Sequence, residues 1–352
     1  MSWKDNVRRV EPYVPGEQPA EKNIIKLNTN ENPYPPAPGV QEVLRSMAAE
    51  DMRLYPDPAA SLLVEKLAGE YHVKKEQVFV GVGSDDVLAM SFLTFFNGND
   101  PILFPDISYS FYEVWAECFR VPYKKIPLTD DWRIDPNAYT VKNGGIIFPN
   151  PNAPTGIAVS IDEIRKILDA NREVVVIIDE AYIDFGAESA LPLLEEYDNL
   201  LIVQTFSKSR SMAGMRIGFA FGSEELIRCL SDVRYSVNSY TMNRPSIMAG
   251  AAALEDRAYF EKIVGKIVNT RDSVRDELEE MGFTCLDSST NFLFVTHPDI
   301  SAAELFRLLR EKGIYVRYFS LPRIDNYLRI TIGTTKQMQV MLDTLRLILR
   351  SR

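Results

Sequence analysis

Histidine is nearly absent: His72 and His297 are the only two in 352 residues. That excludes a multi-histidine metal site, so no metal is expected, and it leaves a Ser-His-Asp triad few candidates. Cysteine is almost as scarce. Cys118, Cys229 and Cys285 are odd in number, far apart and without a C-x-x-C pair. Neither a disulfide framework nor a zinc knot fits, and free thiols in a reducing cytosol are expected. Long apolar runs are missing too: residues 174–178 make a run of strand length, far short of a membrane span. The start of the chain, Met1-Ser2-Trp3-Lys4-Asp5-Asn6, has no apolar stretch. No signal peptide is therefore expected, and a soluble cytoplasmic protein is. Basic charge is in deficit, with 39 Lys and Arg against 49 Asp and Glu, a net −10. This argues against a non-specific nucleic-acid binder and against an anionic membrane surface.

What remains is ordinary globular composition, 46% hydrophobic and 25% charged. It excludes a disordered tail, a collagen-like fibre and a disulfide miniprotein. The length suits a large and a small domain. Residues 1–36 are rich in Pro, Asn and Glu, including Pro12, Pro15, Pro19, Pro33, Pro35 and Pro36, which blocks continuous helix and predicts an extended arm. Such arms usually lie on a surface, often that of a partner subunit. From there strands and helices alternate. Helices are expected over 58–71, 85–96 and 161–171, and strands over 77–82, 101–104, 145–148, 174–178, 200–203 and 217–221. The five β-branched residues 174–178, without polar alternation, predict a strand covered on both faces of a mostly parallel sheet. An α/β domain over 37–245 follows. From 246 to 352 the pattern is that of a smaller α+β unit. Helices are expected within 249–253 and over 259–281, 301–312 and 336–350, and strands over 291–296, 315–318 and 327–332.

Several strings carry candidate chemistry. Thr205-Phe206-Ser207-Lys208 follows a buried strand, with Ala213-Gly214-Met215-Arg216 just after it. A lysine beside an apolar sheet edge can act as a Schiff-base nucleophile, and hydroxyls with an arginine suit a phosphate. Taken alone, Lys208 reads as a surface lysine in a Ser-rich loop. Asp179-Glu180-Ala181-Tyr182 sits at a strand's carboxyl end, where open α/β sheets bind ligands. Asp179 either caps a helix or pairs with a protonated heterocycle nitrogen. Pro149-Asn150-Pro151-Asn152-Ala153-Pro154-Thr155-Gly156 is more specific than a turn requires. Gly81-Val82-Gly83-Ser84-Asp85-Asp86 opens a helix with N–H groups free for an anion, but it lacks the third glycine of a dinucleotide fingerprint. Tyr109 either stacks on a planar ring or packs in the core. Tyr55-Pro56-Asp57 reads as a turn. Arg329, inside a β-rich run, either faces outward or points inward toward a carboxylate.

Together and in this order, these strings resemble the pyridoxal-phosphate aminotransferases of the aspartate aminotransferase fold. Leu27-Asn28-Thr29-Asn30-Glu31-Asn32-Pro33, Tyr55-Pro56-Asp57, Asp179-Glu180-Ala181-Tyr182 and the Ser207-Lys208 to Arg216 segment look most like the histidinol-phosphate aminotransferases. The resemblance implies an α/β fold-type I transferase: a mostly parallel central sheet covered by helices, a smaller α+β domain and an N-terminal arm. It also implies a homodimer with shared active sites, and pyridoxal 5′-phosphate as cofactor. Lys208 would hold the cofactor as an aldimine and then move the proton, Asp179 would keep the pyridine nitrogen protonated, and Tyr182 would bond the ring's 3′ oxygen. Tyr109 would stack on the ring. Ser84, Asp85, Thr205, Ser207 and Arg216 would hold the phosphate, joined by Tyr55 from the other subunit. Arg329 would clamp the carboxylate of glutamate or 2-oxoglutarate, Arg317 and Tyr13 the phosphate of histidinol phosphate. Asn30 and Asn291 would line the substrate pocket.

The chain departs from the superfamily at Ala153, which stands where many members have an asparagine bonding the 3′ oxygen; either Asn152, one residue earlier, takes that role or Tyr182 carries it alone. Same-fold alternatives are a threonine-phosphate decarboxylase and an aromatic aminotransferase. A ligand-sensing regulator would need a DNA-binding module, and a nucleotide-dependent oxidoreductase a better glycine fingerprint.

Overall fold

The computed structural model describes residues 2–13, 16–19 and 23–351. Met1, Val14, Pro15 (one of the arm prolines), Ala20, Glu21, Lys22 and Arg352 lie outside the described residues.

Ten α-helices and thirteen strands are formed by the described residues. The large sheet has seven strands: β2 (Val78–Gly81), β3 (Ile102–Pro105), β4 (Tyr123–Ile126), β5 (Ile146–Pro149), β6 (Val176–Asp179), β7 (Leu200–Thr205) and β8 (Gly218–Phe221). Their order is β2-β8-β7-β6-β5-β3-β4, and the pairings of β8 with β2 and β7 are antiparallel while the rest are parallel. Side chains alternate across a strand, and here both sides are buried. Ile146, Phe148, Val176, Ile178, Leu200 and Ile202 enter one core, whereas Ile147, Ile177, Leu201 and Val203 enter another on the opposite face. That is why residues 174–178 show no polar alternation.

The covering helices are α1 (Pro38–Ser46), α2 (Ser61–Tyr71), α3 (Ser84–Phe95), α4 (Phe111–Phe119), α5 (Ile161–Asp169), α6 (Glu224–Val237) and α7 (Arg244–Leu254). Helix α2 begins three residues later than its apolar spacing suggests. The Asp57 carboxylate accepts the N–H groups of Ala59 and Ser61 at 3.0 and 2.8 Å, so the Tyr55–Asp57 turn holds the chain short of the helix. Helix α7 runs through the expected boundary at residue 245, and its Ile247, Ala249 and Ala253 join the large core.

A second unit contains α8 (Arg257–Glu280), α9 (Ala302–Glu311) and α10 (Thr335–Arg350). They surround an antiparallel sheet of β9 (Thr284–Cys285), β10 (Phe292–Thr296), β12 (Arg317–Tyr318) and β13 (Leu328–Thr331), ordered β12-β13-β10-β9. The stretch 315–318, expected as one strand, is divided. β11 (Ile314–Tyr315) pairs in parallel with the arm strand β1 (Ile25–Lys26), and Arg317–Tyr318 pairs with β13. Leu27 of the arm is buried in this unit's core.

Candidate functional site

Three carboxyl ends of parallel strands meet at one level. Pro149 of β5 is in register with Asp179 of β6, and Asp179 with Val203 of β7. Gly218 of β8 pairs with Thr205 on one side and Gly81 on the other. A side chain at Gly218 would lie 2.2 Å from the Gly83 carbonyl carbon, so only glycine lets the Gly81–Ser84 turn close over the sheet. Above these ends is a cavity of about 330 Å³.

One end of the cavity is built for an anion. Ser84 and Asp85 open α3, placing N–H groups at the wall. The Thr205 hydroxyl accepts the Ser207 backbone N–H at 3.1 Å and donates to its Oγ at 2.9 Å, which turns both residues toward the cavity. Arg216 reaches the same wall, its Nη2 3.1 Å from Asp85 Oδ2. Gly83, at φ +88°, leaves room for it: a Cβ there would sit 2.4 Å from Nη2. Lys208 lies further along, with Nζ donating to the Thr29 carbonyl at 3.2 Å and 5.7 Å from the Tyr182 ring.

Asp179 is buried and makes no ion pair among the described residues. Its Oδ2 accepts from the Tyr112 hydroxyl at 2.9 Å and its Oδ1 from the Ala181 N–H at 3.2 Å. Burial pushes its pKa up to about 6, against the lowering effect of those bonds. The Tyr109 hydroxyl donates to Asp85 Oδ1 at 2.7 Å, and desolvation followed by that carboxylate raises its pKa. The Tyr182 oxygen accepts from Asn30 Nδ2 at 2.8 Å.

Arg329 comes from β13 of the small unit and points inward. The inward position called for a carboxylate, yet none pairs with it among the described residues. Nη2 donates to the Asn28 carbonyl at 3.0 Å, buried Nε has no partner, and desolvation lowers the guanidinium's pKa. The Phe319 ring centroid lies 5.6 Å from the Arg329 guanidinium carbon and 5.5 Å from that of Arg317. Tyr13 reaches the same wall and stacks on Phe111 at 4.1 Å.

Two expected site residues stand behind the cavity wall, and Tyr55, expected to serve the other subunit's site, does not line this one. Asn152 lies behind the wall, its Nδ2 donating to the Ile107 carbonyl and Thr155 Oγ1 at 3.1 and 2.9 Å. The turn it holds leaves Ala153 facing the cavity. Asn291 is likewise behind, donating to the Asn30 carbonyl at 2.9 Å. Tyr55 is 78% exposed and packs on Tyr240, away from this chain's own cavity. Tyr112, Phe319 and Thr29 were not singled out from sequence. Tyr112 lies in the first turn of α4, three residues after Tyr109, and that nearness is the one readable sign of it.

A buried acid without a cation, a desolvated cation without an acid, an amine and an anion cradle share one cavity. They fit a flat heterocycle carrying a phosphate at one end and a protonated ring nitrogen, which is the shape of pyridoxal 5′-phosphate. Among the described residues no group of three or more His, Cys, Asp or Glu is arranged for a metal. No described helix is long and apolar enough to cross a membrane.

The fold and this donor set define a pyridoxal-phosphate-dependent transferase. A model of the class I and II aminotransferases matches residues 22–345, and the chain belongs to that family. The histidinol-phosphate aminotransferase of Lactococcus lactis subsp. cremoris (strain SK11) is 52% identical over 352 residues, 100% of this chain and 99% of that protein. A putative histidinol-phosphate aminotransferase from Erwinia carotovora atroseptica superposes with TM-score 0.86 at 25% identity, covering 94% of this chain and 97% of that one. The Sinorhizobium meliloti histidinol-phosphate aminotransferase, solved in complex with pyridoxal 5′-phosphate, shares the fold with TM-score 0.85 at 24% identity over 93% of this chain and 91% of that one. Within the class, the chain groups with the histidinol-phosphate aminotransferases.

Proposed function

We propose that this cavity transfers an amino group between histidinol phosphate and 2-oxoglutarate, giving imidazole-acetol phosphate and glutamate, with pyridoxal 5′-phosphate as cofactor. The observation that carries the reading is the pair of uncompensated charges, Asp179 and Arg329, on the walls of a cavity that also holds the Lys208 amine.

When bound, the cofactor supplies an electron-accepting ring that spreads negative charge developing at the substrate Cα. Arg216, Ser207, Thr205 and the N–H groups of Ser84 and Asp85 hold its phosphate. Asp179 holds the proton on the ring nitrogen, since a buried carboxylate is stabilised by a cation beside it. Asn30 donates into the Tyr182 oxygen, which leaves the phenol hydrogen free to point at the ring oxygen. Ala153 supplies no donor there, so Tyr182 carries that contact. Tyr109 lies against the ring. With the cofactor bound, the Lys208 amine, which rests on the Thr29 carbonyl, would take the substrate's Cα proton and deliver it to the cofactor carbon on the other side of the shared nitrogen.

Arg329 takes the carboxylate of glutamate or 2-oxoglutarate, and Arg317 with Tyr13 the phosphate of histidinol phosphate. Both half-reactions use one cavity, so initial rates should follow a ping-pong pattern.

We further propose a homodimer in which Tyr55 completes the phosphate site of the partner. The exposed apolar residues Met52, Leu54, Tyr55, Val237 and Tyr240, among them the Tyr55–Tyr240 ring pair, support this reading, because exposed apolar surface marks an interface. The chain divides into an arm to residue 36, a cofactor domain carrying α7 on its side, and a small C-terminal domain. We place the enzyme in the cytoplasm.

The direct test follows transamination by the cofactor-loaded protein in both directions: histidinol phosphate with 2-oxoglutarate should yield glutamate, and imidazole-acetol phosphate with glutamate should yield 2-oxoglutarate. Failure in both directions overturns the assignment.

A further inference from the structure

The backbone that carries Lys208 is gripped from two sides by residues to which the reaction above gives no part. Residues 208 and 209 lie beyond the end of β7 and outside any helix, so no ladder of backbone bonds fixes them. The Ser211 N–H reaches the Lys208 carbonyl only at 3.4 Å. From the arm, Asn32 Nδ2 donates to the carbonyl oxygens of both Lys208 and Ser209, each at 3.1 Å. Asn32 Oδ1 accepts the Tyr34 N–H at 3.0 Å, which sets the amide's orientation. From the turn after β6, Asp184 Oδ2 accepts the Ser209 hydroxyl at 2.5 Å. The side chain of the following residue is also held: the Arg210 guanidinium sits 4.2 Å from the Phe260 ring and 3.7 Å from Glu70.

A lysine side chain has four rotatable bonds, so its amine is placed only as well as its backbone is. We propose that Asn32 and Asp184 are positioning residues for Lys208, Asn32 acting through the two carbonyls and Asp184 through Ser209. Asn32 then contributes to proton transfer without touching the reacting atoms. This inference rests on the reading that the Lys208 amine is the reacting group.

The test uses the cofactor-loaded, full-length protein and four variants: Asn32→Ala, Asn32→Asp, Asp184→Ala and Asp184→Asn. Asn32→Asp keeps the shape but faces two carbonyls with an acceptor. It should lower kcat by about tenfold or more while KM for both substrates stays within about twofold, because Arg329 and the phosphate groups are untouched. It should also shift the pH midpoint of the lysine-bound cofactor's absorbance. Asp184→Ala should behave alike. Asp184→Asn keeps an acceptor for the Ser209 hydroxyl and should recover most of the lost kcat. Unchanged kcat and absorbance in Asn32→Asp and Asp184→Ala would overturn the proposal, even if Tm falls. So would an Asp184→Asn variant no better than Asp184→Ala. If Asn32→Ala fails to fold, the Asn32→Asp and Asp184 comparisons still decide. Each variant is compared with wild type on whichever amino donor the wild type uses, so a wrong substrate assignment leaves this test intact.

Discussion

Asp179 trades stability for chemistry, and the trade can be measured on protein stripped of its cofactor. Burial holds its acid near pH 6 in the fold, above the ordinary value of 3.8. The native state therefore binds this proton more tightly than the unfolded chain does. Its contribution is most favourable below pH 3.8 and is lost as pH rises through 6. At 1.36 kcal/mol for each factor of ten, the ionised carboxylate costs the fold about 3 kcal/mol above that window. Asp179→Asn mimics the protonated acid at nearly the same shape. Its amide oxygen still accepts the Ala181 N–H, and the Tyr112 hydroxyl can turn to accept from the new NH₂. The stripped variant should therefore be more stable than wild type at pH 8 by about 3 kcal/mol. With an unfolding entropy of about 2.1 cal/mol/K per residue over 352 residues, that is about 4 °C in Tm. The gain should disappear by about pH 4. Calorimetry of both proteins at pH 8 and pH 4 checks this. A variant less stable at pH 8, or a gain that persists unchanged at pH 4, would show that the buried Asp179 carboxylate does not destabilise the fold. Reloaded with cofactor the order inverts, and transamination should fall by about a hundredfold or more with the loss of the ring nitrogen's counter-charge.

Lys208→Ala should abolish turnover together with the absorbance of the lysine-bound cofactor, and a variant with full transaminase activity would contradict the assigned role. Arg329→Gln removes a cation that no carboxylate among the described residues neutralises. It should lower kcat/KM for glutamate by about a hundredfold, the loss of about 3 kcal/mol of charged hydrogen bonding, as steady-state rates will show. Gly83→Ala puts a side chain on a backbone at φ +88° and against the Arg216 guanidinium. Cofactor affinity should drop about tenfold or more in a fluorescence titration, while Ala at exposed Gly98 should leave it unchanged.

The chemistry was most legible where it follows strong local signals. Asp179 comes directly after a run whose lack of polar alternation marks a doubly covered strand, and Lys208 follows the next such strand. Arg329 was ambiguous, because a lone arginine in a strand faces either way, and only packing against Phe292 and Phe319 decides. Asn152 was placed one residue off the wall, since the direction a side chain takes from a Pro/Asn turn depends on what the turn packs against. Tyr112 could not be told from a core aromatic at helical spacing. Helix α1 hides in a proline-rich stretch because Pro38 occupies its first turn, where a missing N–H costs nothing. Helix α6 was passed over although Ser223 followed by Glu224 and Glu225 is a start signal, the serine accepting from Leu226 N–H at 3.3 Å. The arm's role was hidden for a different reason: its contacts to Lys208, Tyr182 and Arg329 join residues far apart in the chain.

Donor preference decides what this cavity is built for. Cofactor-loaded protein should be offered histidinol phosphate, threonine phosphate and phenylalanine in parallel, with 2-oxoglutarate as acceptor, and kcat/KM compared. Histidinol phosphate should give the highest value, and threonine phosphate should release no CO₂. CO₂ release would place the enzyme among the decarboxylases of this fold, and a preference for phenylalanine among the aromatic aminotransferases; either result would contradict the assignment.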